Sequence, residues 1–382
     1  MTNILLTGGR APATLELARI FHSAGHMVFL VESVPGSLTA PSRALTASFI
    51  VPPPRQQPEE FLRELVEIIR ENRIDLLIPT CEETFHVARG YAELSAHCTV
   101  FAEPLDKLHP LHNKWTFIKL ASELVLPVPE TSLVEAPEQL AAAFARWPKL
   151  VLKPVYSRFA SHTLILPTRE QAETAIEKNV PAAWVAQEYL DGSQVCTYSI
   201  VHHGQITAHC AYRSGFTAGQ GSTILFQPVD YPTAEAWVRK FVAVRQFTGQ
   251  ISFDFIETSE GEVRAIECNP RATSGVHLFA GQPAFSEAFF DPELPCLFPA
   301  PDTSSMLLTA MLVYGLPAAL KKRGFRPWLE AFTRSRDIIF SLYDPAPALL
   351  QLRGLLYFVL LGWRRGISPL EASTFDIEWN GE

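Results

Sequence analysis

The sequence lacks most of the short motifs that mark nucleotide and metal proteins. Its six cysteines (Cys81, Cys98, Cys196, Cys210, Cys268 and Cys296) form no C-x-x-C pair. That argues against disulfides or zinc and for reduced, buried thiols in a cytoplasmic protein. No G-x-x-x-x-G-K-[ST] occurs, which excludes a P-loop. The amino-terminal "MTNILLTGGR" has no basic segment before its apolar run and does not read as a signal peptide. The longest apolar run, "GLLYFVLLGW" (354–363), is shorter than a bilayer span requires. Positive charge is also scarce. With 32 Lys and Arg against 40 Asp and Glu, the chain has no nucleic-acid footprint, although a local basic pocket for a nucleotide is allowed.

Apolar residues are plentiful, at 47% of 382 residues, enough for two or three domains with substantial cores. "NILLT", "GGRAPA", "TLELARIFHSAG" and "MVFLVE" read as strand, turn, helix and strand. Leu62, Leu65, Val66 and Ile69 form a helical stripe after the loop "VPPPRQQP", and the strand "IDLLIPT" follows. This alternation predicts a parallel, doubly wound α/β domain over residues 1–110. Residues 111–300 change to runs of strands with few helices, an α+β pattern. Residues 301–382 read as mostly helical, through "SSMLLTAMLVYGL" and "PALLQLRGLLYFVLLGW", and then irregular.

A nicotinamide reading of the first domain is the lesser alternative. Glu32 ends the second strand at a suitable distance for a ribose contact. Gly8 and Gly9, however, are adjacent and break the G-x-G-x-x-G spacing.

The segment "QISFDFIETSEGEVRAIECNPRATSG" (250–275) carries more chemistry. With "SEGE" as a four-residue turn, Thr258 pairs with Val263 and Asp254 faces Glu267. Glu267, Asn269 and Arg271 alternate and so share one strand face. Facing carboxylates repel unless a cation lies between them. Two carboxylates and an amide oxygen suit Mg²⁺ held jointly with phosphate oxygens. Upstream, Lys153 ends the strand "KLVLK" and Lys114 sits near a helix start, both positions from which a lysine reaches a phosphate. In "VAQEYLDGSQ", the strand exit at Gln187, Glu188, Tyr189 and Leu190 offers backbone groups to an adenine edge, and Gln194 could accept from a ribose hydroxyl.

These pieces resemble the ATP-grasp superfamily, most closely the branch of carbamoyl phosphate synthetase, biotin carboxylase and the L-amino acid ligases. "IECNPR" is the most specific piece, with "KP" (153–154) and "QEYLDG" (187–192) in support. The resemblance implies an N-terminal Rossmann-like pre-ATP-grasp domain, an ATP-grasp fold over 111–300 with a lid at about 120–190, and a helical C-terminal region. It implies ATP held by Lys114, Lys153, Gln187–Leu190 and Gln194, two Mg²⁺ ions held by Asp254, Glu267 and Asn269, and Arg271 at the reaction centre. The implied reaction joins a small-molecule carboxylate to an amine through an acyl phosphate; a nucleotide-binding protein without ligase turnover is the alternative. Two departures stand out. The ribose position is Gln194 where relatives often have Glu, and the loop after Lys153, "YSRFASH", holds Arg158 where glycines are usual.

Arg213, Ser274 and His277 are candidate substrate contacts, because each lies near a site strand or loop. A homodimer is compatible with the pattern. The segment 346–365 has two readings, a packed helix or an interfacial helix touching lipid or a lipidic substrate.

Overall fold

The computed structural model describes residues 1–157, 162–178, 183–218, 222–301, 303–321 and 324–381. The first sheet is parallel, in the order Ala47–Ile50, Met27–Glu32, Asn3–Thr7, Leu76–Ile78, Thr99–Val100. Helix Pro12–Ser23 starts on a proline at its first turn and buries Leu15, Leu17, Ala18 and Phe21, the stripe expected of a helix covering a sheet. Helix Pro58–Glu71 covers another part of this unit with Phe61, Leu65 and Ile69. The turn between the first strand and helix needs glycine. Gly8 has φ +73°, and a Cβ there would lie 2.8 Å from Glu83 Oε1. This is the Rossmann-like unit that the alternating pattern predicts.

A four-stranded antiparallel sheet follows, in the order Thr131–Val134, Trp184–Glu188, Leu150–Pro154, Leu164–Ile165. Its core is Leu140, Trp147, Leu152 and Trp184. The third sheet has seven strands: Val263–Asn269, Gly249–Thr258, Gly192–His202, Gln205–Ser214, Leu225–Val229, Ser305–Met306 and Arg336–Asp337. On the hairpin, Phe253 and Phe255 point into an aromatic core with Phe117, Trp237 and Phe241. Asp254, between them, must face the other way.

The C-terminal region departs from its helical reading in two places. Ser305–Met306 and Arg336–Asp337 extend the large sheet, because Met306 pairs with Leu225 and Ser305 with Arg336. The local pattern of "SSMLL" suits a helix, but pairing with a distant edge strand overrides it. Farther on, helix Ala346–Arg365 has 20 residues, is apolar enough to cross a bilayer by length and composition, and buries only Pro347 and Gly362. The run looked too short in the sequence because Gln351 and Arg353 interrupt it. It is not a packed core helix. Its other face is open, with Leu349 73% and Trp363 81% exposed.

The chain then returns to the first unit. Arg10 pairs with Asp376 at 2.6 Å, Arg55 with Glu378, and Trp379 lies beside Phe85 and His86.

Candidate active site

The hairpin places Asp254 opposite Glu267 and Ser252 opposite Asn269, so the two carboxylates and the amide share one face. The register reaches this arrangement by a route the sequence did not suggest. Val263 pairs with Glu257 rather than Thr258, and the ladder shifts by one residue between Phe255 and Asp254, leaving Ile266 as the extra residue. This bulge cancels the slip at the turn. Burial and the facing Glu267 push the Asp254 carboxyl up to about 6. A cation at this face would relieve that repulsion, and its donor set is hard oxygen. Among the described residues no three His, Cys, Asp or Glu side chains assemble a metal site by themselves, so the fit is to an ion that also takes oxygens from a ligand.

Both lysines are nearly buried. Lys114 is the first residue of helix Lys114–Glu123, whose cap Asn113 accepts from the Trp115 and Thr116 N–H groups. Its Nζ lies 3.5 Å from Glu267 Oε1 and donates to the Ser157 carbonyl at 3.1 Å. Lys153 Nζ donates to Gln187 Oε1 and to the Ile266 carbonyl, each at 3.1 Å. Burial lowers Lys153 to about 8, against the opposing pull of Glu267. Two cations therefore flank the carboxylate face, a setting for a polyphosphate.

At the strand exit, the Gln187 side chain is committed to Lys153 and to Thr131 Oγ1. Glu188 is tied to Arg264 at 2.7 Å and to the Glu130 N–H. These side chains brace the exit, so a base edge there would meet backbone. Tyr189 and Leu190 follow, half-buried. Gln194 lies two residues from Cys196, the partner of Asp254, and contacts its Sγ at 3.6 Å. Arg158 lies outside the described residues.

Arg271 sits at the inner end of the hairpin. Its Nε donates to Glu82 Oε1 at 3.1 Å and its Nη2 to Asn269 Oδ1 at 3.2 Å. It lines a cavity of about 300 Å³ with Arg10, Glu82, Phe226, Ser274 and His277. Glu82 and Arg10 come from the first unit and were not singled out in the sequence. The acid pair in "TCEETF" after a buried strand was the available signal.

Two substrate candidates take other roles. Arg213 pairs with Val195, which pairs with Phe255, so it stands on the sheet face opposite Asp254. There it binds Glu257 and stacks near Tyr231. His277 does line the cavity, but it is 1% exposed and its Nδ1 is bonded to Glu16 at 2.9 Å. Arg336 bonds the same carboxylate and the His277 carbonyl. The short 3-10 helix Ser274–Phe279 that holds it needs glycine, since a Cβ on Gly275 would lie 2.4 Å from Tyr198 Cβ.

The nicotinamide alternative loses its ribose contact. Glu32 accepts from the Arg10 N–H at 2.9 Å and from the Arg10 guanidinium, which also holds Asp376.

A family model described as an ATP-grasp domain matches residues 111–275. No curated protein matches the sequence. Among solved structures, N5-carboxyaminoimidazole ribonucleotide synthetase from Thermus thermophilus is 16% identical, with a TM-score of 0.61 over 79% of this chain and 81% of its own. The biotin carboxylase domain of the Hydrogenobacter thermophilus 2-oxoglutarate carboxylase, in complex with MgADP, ADP and bicarbonate, is 14% identical, with a TM-score of 0.59 over 71% and 64%. The L-amino acid ligase from Bacillus licheniformis is 14% identical, with a TM-score of 0.55 over 73% and 70%. At such identities the likeness is one of fold. Together with the family model it gives the chain a Rossmann-like unit followed by an ATP-grasp fold, in which residues 111–275 match the ATP-grasp domain.

Proposed function

We propose that the protein is a cytoplasmic ATP-dependent carboxylate–amine ligase that forms an amide through an acyl phosphate and releases ADP and phosphate. One observation carries the reading: Asp254, Glu267 and Asn269 share a face that is flanked by two nearly buried lysines and ends at Arg271 beside a cavity. The likeness in fold to an L-amino acid ligase, and to a biotin carboxylase domain solved with MgADP, supports it.

In this reading Lys114 and Lys153 hold the phosphates and the strand exit at Gln187–Leu190 receives the base. Gln194 faces the ribose. Asp254, Glu267 and Asn269 would hold Mg²⁺, which supplies charge neutralisation on the phosphate oxygens. The substrate carboxylate attacks the γ-phosphorus, the bond to the ADP oxygen breaks, and ADP departs. The neutral amine nitrogen then attacks the acyl carbon, and the proton it loses leaves on the departing phosphate. Arg271, steadied by Glu82, stabilises the oxyanion, and the C–O bond to phosphate breaks. Ser274 and the buried His277 shape the cavity wall where acid and amine meet.

Phosphate release from ATP, screened over pooled carboxylates and amines, tests this. Hydroxylamine should intercept the acyl phosphate as a hydroxamate. ATP binding without acid-dependent phosphate release in any pool would overturn it.

A further inference from the structure

Helix Ala346–Arg365 has two faces with different surroundings. Its inner stripe packs on the protein body. A Cβ on Gly354 would lie 3.0 Å from the Gly36 carbonyl, and the Phe358 ring lies 6.0 Å from the Arg10 guanidinium. Its outer stripe exposes Leu349, Leu352, Leu356, Leu360 and Trp363. A helix pinned by these contacts, with the exposed Arg353 at mid-length, lies along a surface rather than across a bilayer.

Charge identifies the surface. From residue 312 to 365 there are nine Lys and Arg against three Asp and Glu, whereas the rest of the chain has 23 against 37. Lys321, Arg326, Arg334, Arg353, Arg364 and Arg365 are all exposed. The helix itself carries Arg353, Arg364 and Arg365, all exposed, and no Asp or Glu, so its apolar stripe with basic flanks matches an anionic lipid surface. It would repel a second copy of itself.

Behind the helix a second cavity of about 220 Å³ is walled by Val34, Leu38, Ile339, Gln351 and Leu355. It shares Arg10, Pro12, Leu307 and Phe358 with the cavity at Arg271. The same helix thus has an apolar surface outside and, inside, a largely apolar cavity that adjoins the one at Arg271.

We propose that the outer face of helix Ala346–Arg365 docks on an anionic lipid bilayer, and that the two adjoining cavities take an amphiphilic substrate from it, polar end at Arg271 and apolar chain under the helix. The docking stands independently of the ligase reading; the substrate class rests on it.

Co-sedimentation with phosphatidylcholine vesicles, with and without phosphatidylglycerol, tests the docking and needs no turnover. The protein should pellet with the anionic vesicles and detach as salt is raised. The double variant Leu352→Asp/Leu356→Asp should bind at least tenfold more weakly, with unchanged melting temperature and ATP affinity. No pelleting at low salt, an unaffected double variant, or a dimer in ultracentrifugation that the double variant abolishes would overturn it. For the cavities, cis-parinaric acid fluorescence should rise saturably. Gln351→Trp, which fills the second cavity, should weaken that binding at least tenfold while leaving vesicle binding intact. Non-saturable fluorescence, or equal affinity in that variant, would overturn the substrate class even if ligase turnover were found with small polar acids.

Discussion

The Ile266 carbonyl accepts a hydrogen bond from Lys153 Nζ at 3.1 Å. Ile266 is the bulged residue of the hairpin, so the irregularity that aligns Glu267 with Asp254 also anchors a lysine from another sheet. Bulges beside functional sites often re-aim groups in this way. Lys153→Met keeps the stem and removes the charge. It should fold, raise the KM for ATP, and lower turnover by about 100-fold or more, as loss of a positioned donor to developing charge does. Steady-state kinetics with ATP varied would check this.

Glu267→Gln removes a carboxylate from the shared face and leaves a neutral side chain of the same shape. Turnover should vanish while the melting temperature holds, because repulsion with Asp254 falls. Calorimetric titration of Mg²⁺ in the presence of ADP should show weaker binding. Near-normal activity would contradict the metal assignment.

Glu82 reaches Arg271 from the first unit. Glu82→Gln leaves the guanidinium in place but less firmly held. We expect a fall in kcat of about 10-fold with the KM for ATP unchanged, the pattern of an interaction made in the transition state.

Arg213→Ala supplies the control. Its side chain lies on the far face, bonded to Glu257, and its loss should leave kcat/KM within about twofold of wild type.

The pairing of Arg10 with Asp376 predicts a pH dependence of stability. Burial raises the Asp376 carboxyl, but bonds to Arg10 and Ser33 outweigh it and hold it below the usual carboxylate range. A depressed carboxylate stabilises the fold above its unfolded value and loses that contribution as pH falls through the folded one. Asp376→Asn should therefore cost about 2 kcal/mol at neutral pH. Thermal unfolding across pH should show the gap to wild type closing below the usual carboxylate range.

Strands and helices with strong period, such as Asn3–Thr7 and Pro12–Ser23, were legible in the sequence because their burial follows their own spacing. The pairing of Asp254 with Glu267 was legible too, though only because the turn slip and the bulge cancel. Ser305–Met306 was not, since its strand state depends on Leu225 some eighty residues earlier. Nor was the far-face position of Arg213, which one residue of register decides. Glu82 and Arg10 escaped notice because their partners, Arg271 and Asp376, lie 189 and 366 residues away.

The cavity at Arg271 has walls drawn from Arg10 and from Ile377. During synthesis the nascent polypeptide can complete its first sheet long before that chamber exists. The chamber is therefore closed only once residue 377 has been made, and a truncation that removes residues from 376 onward should yield a folded amino-terminal unit with an unfinished pocket.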